Sequence, residues 1–452
     1  MTRGRLGLIG LACLLAAAVG VALALTVTSG DSASAQRWGE PTRVPVPGGA
    51  VGTARVAVGD DGSVDVVFAV RRDGESQLRH ISRPAGGDWT APATVTTSPF
   101  RIIPDAVAIG PDGDVAATWL LSGGRRSLLM AATMPHEGEW TPAQALSRVG
   151  NAMHFTRLVV AQDGATTVVA RGLDGPGLWA VRHEPSGGWA AARRITPPGL
   201  GTDAPATTIA PDGRIGVVAL AKRPGVPRTL TSILASPSGT WGPPRPIPAT
   251  TGARSPLAAF STDGTLVAGW TREAAGRVTV ESATLAGVSW TAARRWDRLP
   301  RSRAGAPVIT GADGPQLAWT RWISAPQDRL AEVRAAAPAS SGAAVTIAAP
   351  EFPPVDPDPA TPADIVYGQP PLHLIGGTGT RPLLLGVQPG TGGSQVWAST
   401  VTGAAWEAPT LLASGAGFAF PVAAGAGDGH EVAVWAAGPP FAAADRILMA
   451  DR

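Results

Sequence analysis

The chain has 452 residues, of which 44% are hydrophobic and only 16% are charged, and it contains 57 glycines and 43 prolines. Glycine and proline both disfavour helix interiors and mark turns, so the composition argues against long helices and favours an all-β protein. A formal net charge of +3 is too small for the electrostatic footprint of a nucleic-acid-binding protein. At about 150 residues per domain the length alone suggests three domains, a count that fails for arrays of repeats.

Residues 1–35 form a separate N-terminal segment. Arg3 and Arg5 precede an almost wholly apolar stretch at 6–27, and small residues in an A-x-A pattern complete the segment. This is the layout of a secretory signal peptide, although the apolar stretch is also long enough for an uncleaved membrane anchor. Both interpretations predict that residues 36–452 are exported, so the protein is expected to be secreted or otherwise extracytoplasmic.

Asp-Gly pairs recur along the exported part with an apolar run on each side. The first five intervals between them are 51, 51, 49, 51 and 50 residues, and the last interval, of 115 residues, spans two periods. A series of tryptophans keeps the same period. The Asp-Gly pairs begin at Asp61, Asp112, Asp163, Asp212, Asp263, Asp313 and Asp428, and the tryptophans are Trp38, Trp89, Trp140, Trp189, Trp241, Trp290 and Trp406.

One period contains four short apolar runs. In the second unit, residues 106–111 and 114–119 flank Asp112-Gly113, which is a strong hairpin signal, and further runs follow at 128–133 and 140–146. Four antiparallel strands in about 50 residues, repeated along the chain, predict the blades of a β-propeller. A solenoid is the competing architecture, but it would need polar caps at both ends, which the sequence lacks.

The two ends of the repeat are complementary. Residues 38–46 read as an orphan fourth strand, whereas residues 418–449 supply three strands and then stop. Together they complete one blade, which closes a ring and removes its exposed edges. We therefore predict a single domain over 36–452 with eight blades. Seven is the alternative if the degenerate region at 340–379 does not form a blade.

The repeated residues are interpreted first as structural. Asp-Gly suits a two-residue hairpin turn, and the periodic tryptophans suit packing between adjacent blades. Trp179, Trp296 and Trp322 fall outside the period. Surface packing is their first interpretation, and exposed aromatic residues that bind a ligand are the alternative.

Loops that lead into the first strand of each blade converge on the mouth of the ring, so residues just before those strands are the candidate binding residues. This set is richer in basic, polar and aromatic side chains than the alanine-rich remainder. We predict ligand contacts from Phe100, Arg101, His154, Arg157, Asp203, Arg254, Arg303 and Tyr367.

A proline-rich insertion at 350–371 is longer than its counterparts in the other units, and its length suits a lid over the mouth. The spacing of its aspartates, Asp356, Asp358 and Asp364, matches no calcium-binding loop. We therefore predict neither a metal site nor a cofactor.

The units resemble those of exported bacterial propellers of the sialidase-type or BNR-like superfamily, whose blades carry an Asp-box turn; the segment that begins at Ser261 comes nearest to that box. Residues 100–104, Phe-Arg-Ile-Ile-Pro, are similar to the FRIP motif of sialidases. The resemblance implies that Arg101 holds a substrate carboxylate, that Tyr367 is the nucleophile and that Asp105 is the acid.

Two functions therefore compete. The leading hypothesis is a noncatalytic exported propeller that binds a glycan, a peptide or a cell-envelope partner through its mouth loops. The alternative is a sialidase-like glycoside hydrolase. We expect a monomer with no nucleic-acid partner, and membrane contact only through an uncleaved N-terminal segment.

Overall fold

Short strands and turns account for the described part of the chain in a computed structural model. The structure describes residues 38–47, 50, 54–123, 126–147, 156–172, 177–198, 200–202, 205–223, 225–300, 307–310, 315–322, 331–338, 343–347, 372–375, 383–390, 393–402, 405–415, 418–427, 430–438 and 445–452. Residues Glu40–Asp451 form one compact unit.

The strands of the first half are β1 (Thr42–Arg43), β2 (Arg55–Val58), β3 (Val64–Arg72), β4 (Glu75–Arg83), β5 (Ala93–Ser98), β6 (Arg101–Ile109), β7 (Val115–Gly123), β8 (Arg126–Met134), β9 (Gln144–Ala145), β10 (Arg157–Val160), β11 (Thr166–Arg171), β12 (Leu178–His183), β13 (Arg193–Arg194), β14 (Gly201–Thr202), β15 (Ala206–Ile209), β16 (Ile215–Arg223), β17 (Val226–Ala235) and β18 (Arg245–Pro246).

The strands of the second half are β19 (Ala253–Phe260), β20 (Leu266–Ala274), β21 (Arg277–Ala286), β22 (Ser289–Trp290), β23 (Arg294–Pro300), β24 (Val308–Thr310), β25 (Gln316–Trp322), β26 (Ala331–Ala336), β27 (Val345–Ile347), β28 (Leu372–Ile375), β29 (Leu383–Gly390), β30 (Gly393–Thr402), β31 (Ala405–Trp406), β32 (Thr410–Gly415), β33 (Phe418–Gly427), β34 (His430–Gly438) and β35 (Arg446–Asp451).

These strands form eight antiparallel sheets, each with four strand positions, as the repeat predicts. Blade 1 is β2 to β5, blade 2 is β6 to β9 and blade 3 is β10 to β13. Blade 4 is β14 to β18, blade 5 is β19 to β23, blade 6 is β24 to β27 and blade 7 is β28 to β32. In blades 4, 5 and 7 two short segments share one strand position, which gives five strands on four positions.

Blade 8 joins the two ends of the repeat. The segment β1 pairs with β35, so that Thr42 lies opposite Met449, and β34 and β33 complete the sheet. The first strands of successive blades contact one another in a closed cycle that returns from β33 to β2. The eight-bladed propeller closed by its ends is thus confirmed, and the seven-bladed alternative is wrong because β28 to β32 form a complete blade.

The structure describes the Asp-Gly turns of blades 1 to 5, and these are three-residue loops and not the two-residue turns that the sequence predicts. In blade 1 the amide of Gly59 donates to the carbonyl of Ser63 at 2.9 Å, and the amide of Gly62 donates to the carbonyl of Gly59 at 3.0 Å. This is a type I turn followed by a glycine in the left-handed region, with φ of 86° at Gly62. The Asp61 carboxylate accepts the Ser63 amide at 2.9 Å, so the aspartate caps the turn.

Two-residue turns occur instead at hairpins between the second and third strands. Asp73 and Gly74 have φ of 53° and 84°, and Ala275 and Gly276 have φ of 49° and 68°. Positive φ at both central residues defines the type I′ turn, whose twist matches that of the flanking strands.

The cores lie between adjacent blades. Trp270, in the second strand of blade 5, is fully buried against Val218, Leu220 and Leu230 of blade 4, so this tryptophan packs between adjacent blades. Because each sheet is covered on both faces by its neighbours, the second strands read as near-continuous apolar runs.

In two blades a tryptophan of the third strand, outside the period, fills the interblade core where the second strand has a small residue. In blade 3, Ala170 occupies the position of Trp270 and faces Trp179 across the strand pair. In blade 7, Gly386 faces Trp397, and a Cβ at Gly386 would overlap the Trp397 ring. Trp179 packs into an interblade core. The alternative that Trp179 is an exposed binding residue is therefore wrong, because Trp179 compensates for a small residue across the sheet.

Trp296 is likewise a packing residue. Its indole N–H donates to Ser282 Oγ at 2.7 Å, and its ring packs beside buried Leu299 and Trp319. The Arg294 guanidinium lies over the ring at 3.8 Å from the centroid. The third candidate, Trp322, ends β25, and its side chain lies outside the described residues.

Candidate functional site

The mouth face is the side of the ring on which the fourth strand of each blade connects to the first strand of the next. Because the strands alternate in direction, the same face carries the hairpins between second and third strands, and the Asp-Gly turns lie on the opposite face. The first residues of β2, β6 and β10 therefore lie on the mouth face, at the ends of three adjacent first strands.

A β-bulge on β6 distinguishes Asp105 from its neighbours. Pro104 pairs with Trp119 and Ala106 with Thr118, so Asp105 has no partner in the ladder between them. A bulge leaves the extra residue unpaired and turns its side chain away from the regular direction. The Asp105 carboxylate accepts a hydrogen bond from Thr118 Oγ1 at 3.4 Å.

Arginines from the two neighbouring blades meet at Asp105. Arg55, the first residue of β2, donates from Nε to the Asp105 main-chain carbonyl at 2.9 Å. Arg157, the first residue of β10, is close enough for its charge to be attracted by the Asp105 carboxylate. We call Arg55, Asp105 and Arg157 the mouth cluster. It contains two guanidinium groups and one carboxylate and therefore carries an unmatched positive charge.

The surroundings of Arg157 weaken its hydration. Burial lowers the pKa of its guanidinium, and the attraction of Asp105 acts in the opposite direction. The residue is nevertheless exposed to solvent, and its Nη1 donates a hydrogen bond to the Thr156 carbonyl at 3.0 Å. The guanidinium remains charged at neutral pH.

Phe100 and Arg101 lie further out on the same strand. Arg101 pairs with Ser122 near the hairpin end of β7, four residues and about 13 Å along the strand from Asp105. Phe100 is 55% exposed, and its ring lies against Gly123. The two residues thus present an aromatic ring and a cation at the rim, separate from the mouth cluster.

Arg254 lies at the start of blade 5, on another part of the mouth face. Its side chain is exposed, and Nη2 is 3.6 Å from Glu273 Oε2. Arg157 and Asp105 are therefore the two predicted residues that the structure brings together.

Four predicted residues, His154, Asp203, Arg303 and Tyr367, and the insertion at 350–371 lie outside the described residues. The pairing of Tyr367 with Asp105 as nucleophile and acid therefore stays a prediction.

Sequence reasoning missed Arg55, although Arg55 begins a first strand just as the selected Arg157 does. The repeat contains the missing signal: Arg55 and Arg157 both precede the aspartate of their Asp-Gly pair by six residues. The two arginines thus occupy equivalent positions in the first strands of blades 1 and 3, on either side of the blade that carries Asp105.

The described ranges contain no group of three or more histidine, cysteine, aspartate or glutamate side chains that could hold a metal ion. Within the same ranges, no helix has the length and apolar character required to cross a membrane.

The chain is similar in fold to several solved propellers. The BP39L lectin from Burkholderia pseudomallei has 14% sequence identity and a TM-score of 0.48, with coverage of 80% of this chain and 99% of the lectin. The Hadza microbial sialidase Hz136 has 13% identity and a TM-score of 0.38, with coverage of 69% and 70%.

Prolyl oligopeptidase B from Galerina marginata has 11% identity and a TM-score of 0.50, and the match covers 86% of this chain and 56% of the peptidase. No protein-family model matches the chain, and no curated protein sequence matches it. At these identities the likeness concerns the fold: the chain is a β-propeller, an architecture that carries binding proteins and hydrolases alike.

Proposed function

We propose that this protein is an exported, noncatalytic propeller that binds a glycan at its mouth. The observation that carries the proposal is the mouth cluster, in which Arg55 and Arg157 surround Asp105. Guanidinium and carboxylate groups together supply donors and acceptors in fixed directions, which is what a polyhydroxylated ligand requires.

The rim adds an apolar surface. Phe100 is a large exposed aromatic residue on the strand that carries Asp105. Sugar rings have apolar faces that stack on aromatic side chains, while their hydroxyl groups reach polar neighbours. The unmatched positive charge of the mouth cluster favours glycans with acidic groups, because arginine binds a carboxylate through two parallel hydrogen bonds.

A glycan array followed by calorimetry with the best ligand tests this proposal. We expect Arg157→Ala to weaken binding by about tenfold or more, since hydrogen bonds to charged groups contribute about 1.5–3 kcal/mol. Arg193→Ala is the matched control, because Arg193 is an exposed arginine on β13 at the outer edge of the same blade.

Retained binding in Arg193→Ala and loss in Arg157→Ala would support the site. Equal affinity of Arg157→Ala and the unmodified protein, or an array without any bound glycan, would refute it. Release of a sugar from the bound glycan would contradict the noncatalytic assignment and favour the sialidase-like alternative.

Export rests on the N-terminal segment at 1–35. We expect mass spectrometry of the protein recovered outside the cytoplasm to give an N-terminus at Gln36. An N-terminus upstream of Leu25 would exclude cleavage and favour the anchor at 6–27.

A further inference from the structure

A second polar site lies on the mouth face of blade 5, where that blade faces blade 4. It is a cleft of about 260 Å³ between the ends of β20, β21 and β23. Four guanidinium groups and one carboxylate line it, so three positive charges have no counter-charge in its wall. The lining residues are Arg272, Ala274, Arg277, Thr279, Glu281, Arg295 and Arg298.

The carboxylate is part of the wall and accepts hydrogen bonds through both of its oxygens. Glu281 is buried, and its Oε2 accepts hydrogen bonds from Trp270 Nε1 at 3.0 Å and from Arg272 Nη2 at 2.7 Å. Its Oε1 accepts Thr279 Oγ1 at 2.9 Å and lies 3.9 Å from Arg295 Nε. Glu281 therefore holds Arg272 by a hydrogen bond and attracts Arg295, and it has no hydrogen bond with Arg277 or Arg298.

Arg272 is fixed at the inner end of the cleft. Its Nη2 also donates to the carbonyl of Ala249, in the connection from blade 4 to blade 5. Its Nε is buried without a hydrogen-bond partner among the described residues. An unsatisfied buried donor is unfavourable, so an acceptor bound in the cleft would supply the hydrogen bond that this N–H lacks.

Two further arginines enter from the rim. Arg277 begins β21 and Arg298 lies on β23, and both are exposed. Neither guanidinium has a hydrogen bond or an ion pair with any residue that the structure describes. Like charges that converge on one cleft repel one another, and a bound anion relieves that repulsion.

Blade 5 differs from the other blades at the position that organises the cleft. In each blade, one residue of the third strand pairs with the second-strand residue at the position of Trp270. This third-strand residue is described in all eight blades, and only in blade 5 does it carry a carboxylate. In chain order these residues are Arg79, Met130, Trp179, Thr231, Glu281, Arg334, Trp397 and Leu448. The charged cleft is therefore a local property of blade 5 and not a consequence of the repeat.

We propose that this cleft binds a phosphoryl group, either as free inorganic phosphate or as a phosphate monoester. The guanidinium fork matches phosphate geometry and binds it through paired hydrogen bonds. Three unmatched positive charges favour a group that is close to doubly charged at neutral pH over a carboxylate with a single charge. The cleft volume of about 260 Å³ is sufficient for a phosphoryl group and the organic part of a small phosphate ester.

Calorimetric titration of the full exported chain with inorganic phosphate tests the site, and glycerol phosphate in a parallel titration distinguishes the free ion from an ester. We expect the double variant Arg277→Gln/Arg298→Gln to lose about tenfold or more in phosphate affinity. Since neither side chain has a partner within the described residues, the variant is expected to fold normally.

The matched control is Arg72→Gln, which removes an exposed arginine at the corresponding hairpin of blade 1. Unchanged affinity in this control and in Arg157→Ala supports a specific site that is independent of the proposed glycan site. Equal weakening by Arg72→Gln would indicate diffuse surface charge and overturn the proposal. Absence of measurable phosphate binding, or full affinity in the double variant, would overturn it as well.

Discussion

Blades 2 and 5 have the same strand order and bury a tryptophan at the same position, yet the surroundings of that tryptophan differ. Trp119 of blade 2 faces Met130 across the sheet, and its indole nitrogen has no hydrogen-bond partner among the described residues. Trp270 of blade 5 faces Glu281 and donates to its carboxylate. Both tryptophans are fully buried.

The comparison shows how one cross-strand residue changes the character of a blade. Beyond Trp119 the second and third strands of blade 2 pair leucine with leucine at two successive positions. Beyond Trp270, blade 5 pairs Arg272 with Thr279 and Ala274 with Arg277. The buried carboxylate of Glu281 requires charged and polar neighbours, and these neighbours form the walls of a cleft. The repeat thus gives every blade the same backbone arrangement, and the side chains of a single blade can still form a charged cleft.

The largest effect is expected from removal of the Glu281 carboxylate. Glu281→Ala leaves the Trp270 donor and the Arg272 guanidinium without their acceptor, and loss of one partner of a buried ion pair costs about 3–5 kcal/mol. Because Arg272 retains some water access, we expect the lower end of this range. Urea unfolding measures the change in the free energy of unfolding.

Glu281→Gln is the graded control, because it keeps one acceptor oxygen and nearly the same volume. It should lose less than Glu281→Ala. If Glu281→Ala changed the free energy of unfolding by less than about 1 kcal/mol, the carboxylate would not organise blade 5.

A matched pair of variants compares the two tryptophans directly. Trp119→Phe and Trp270→Phe remove the same atoms from fully buried sites, so the cost of the lost volume should be similar. Trp270→Phe also removes a hydrogen bond to a charged group, which contributes about 1.5–3 kcal/mol. We therefore expect Trp270→Phe to be the more destabilising variant by about that amount in urea unfolding.

An equal loss in the free energy of unfolding for Trp119→Phe and Trp270→Phe would contradict this prediction. Such an outcome would mean that the two indole groups differ in geometry but not in energy, and that Glu281 serves Arg272 alone.

The sequence was sufficient to predict the number of blades and the closure of the ring. The period of the Asp-Gly pairs predicts the eight blades, and the complementary ends predict the closure through β1 and β35. It was insufficient for the turn type, because the left-handed glycine of a three-residue loop and that of a two-residue turn both follow an aspartate. The role of Trp179 was missed because a residue that fills a core from the opposite strand does not keep the period.

The candidate site was predictable in part. Arg157 was selected because it lies at the entrance to a first strand and Asp105 because of the resemblance to sialidases, and the structure brings the two together. The bulge that turns Asp105 out of the ladder lies beside Pro104, and the bulges of β19 and β33 also lie at prolines, Pro256 and Pro421, so proline within a first strand was a local signal that the prediction did not use. The blade 5 cleft depends on which residues face each other across β20, β21 and β23, including a register shift at Val280 and Glu281. Such a register cannot be read from spacing alone.

The smallest expected effect is a pH dependence of stability in blade 3, at His183. Met134 of blade 2, His183 of blade 3 and Leu285 of blade 5 occupy equivalent positions at the far end of the third strand. His183 is buried beside Trp189, with 5.2 Å between ring centroids. Burial lowers the pKa of His183 from its ordinary value of 6.5, although Glu184 and the Gly187 main chain act in the opposite direction.

The lowered pKa makes stability depend on pH in a defined direction. Below pH 6.5 the unfolded chain binds a proton at His183 that the folded chain does not bind, so acid shifts the equilibrium toward unfolding until the folded-state pKa is reached. At neutral pH the imidazole is uncharged in both states and contributes no such dependence. His183→Leu installs the blade 5 residue and should flatten the decline in stability between neutral and mildly acidic pH. Thermal melts at several pH values measure this slope, and an identical slope in His183→Leu would show that the position tolerates the charged imidazole.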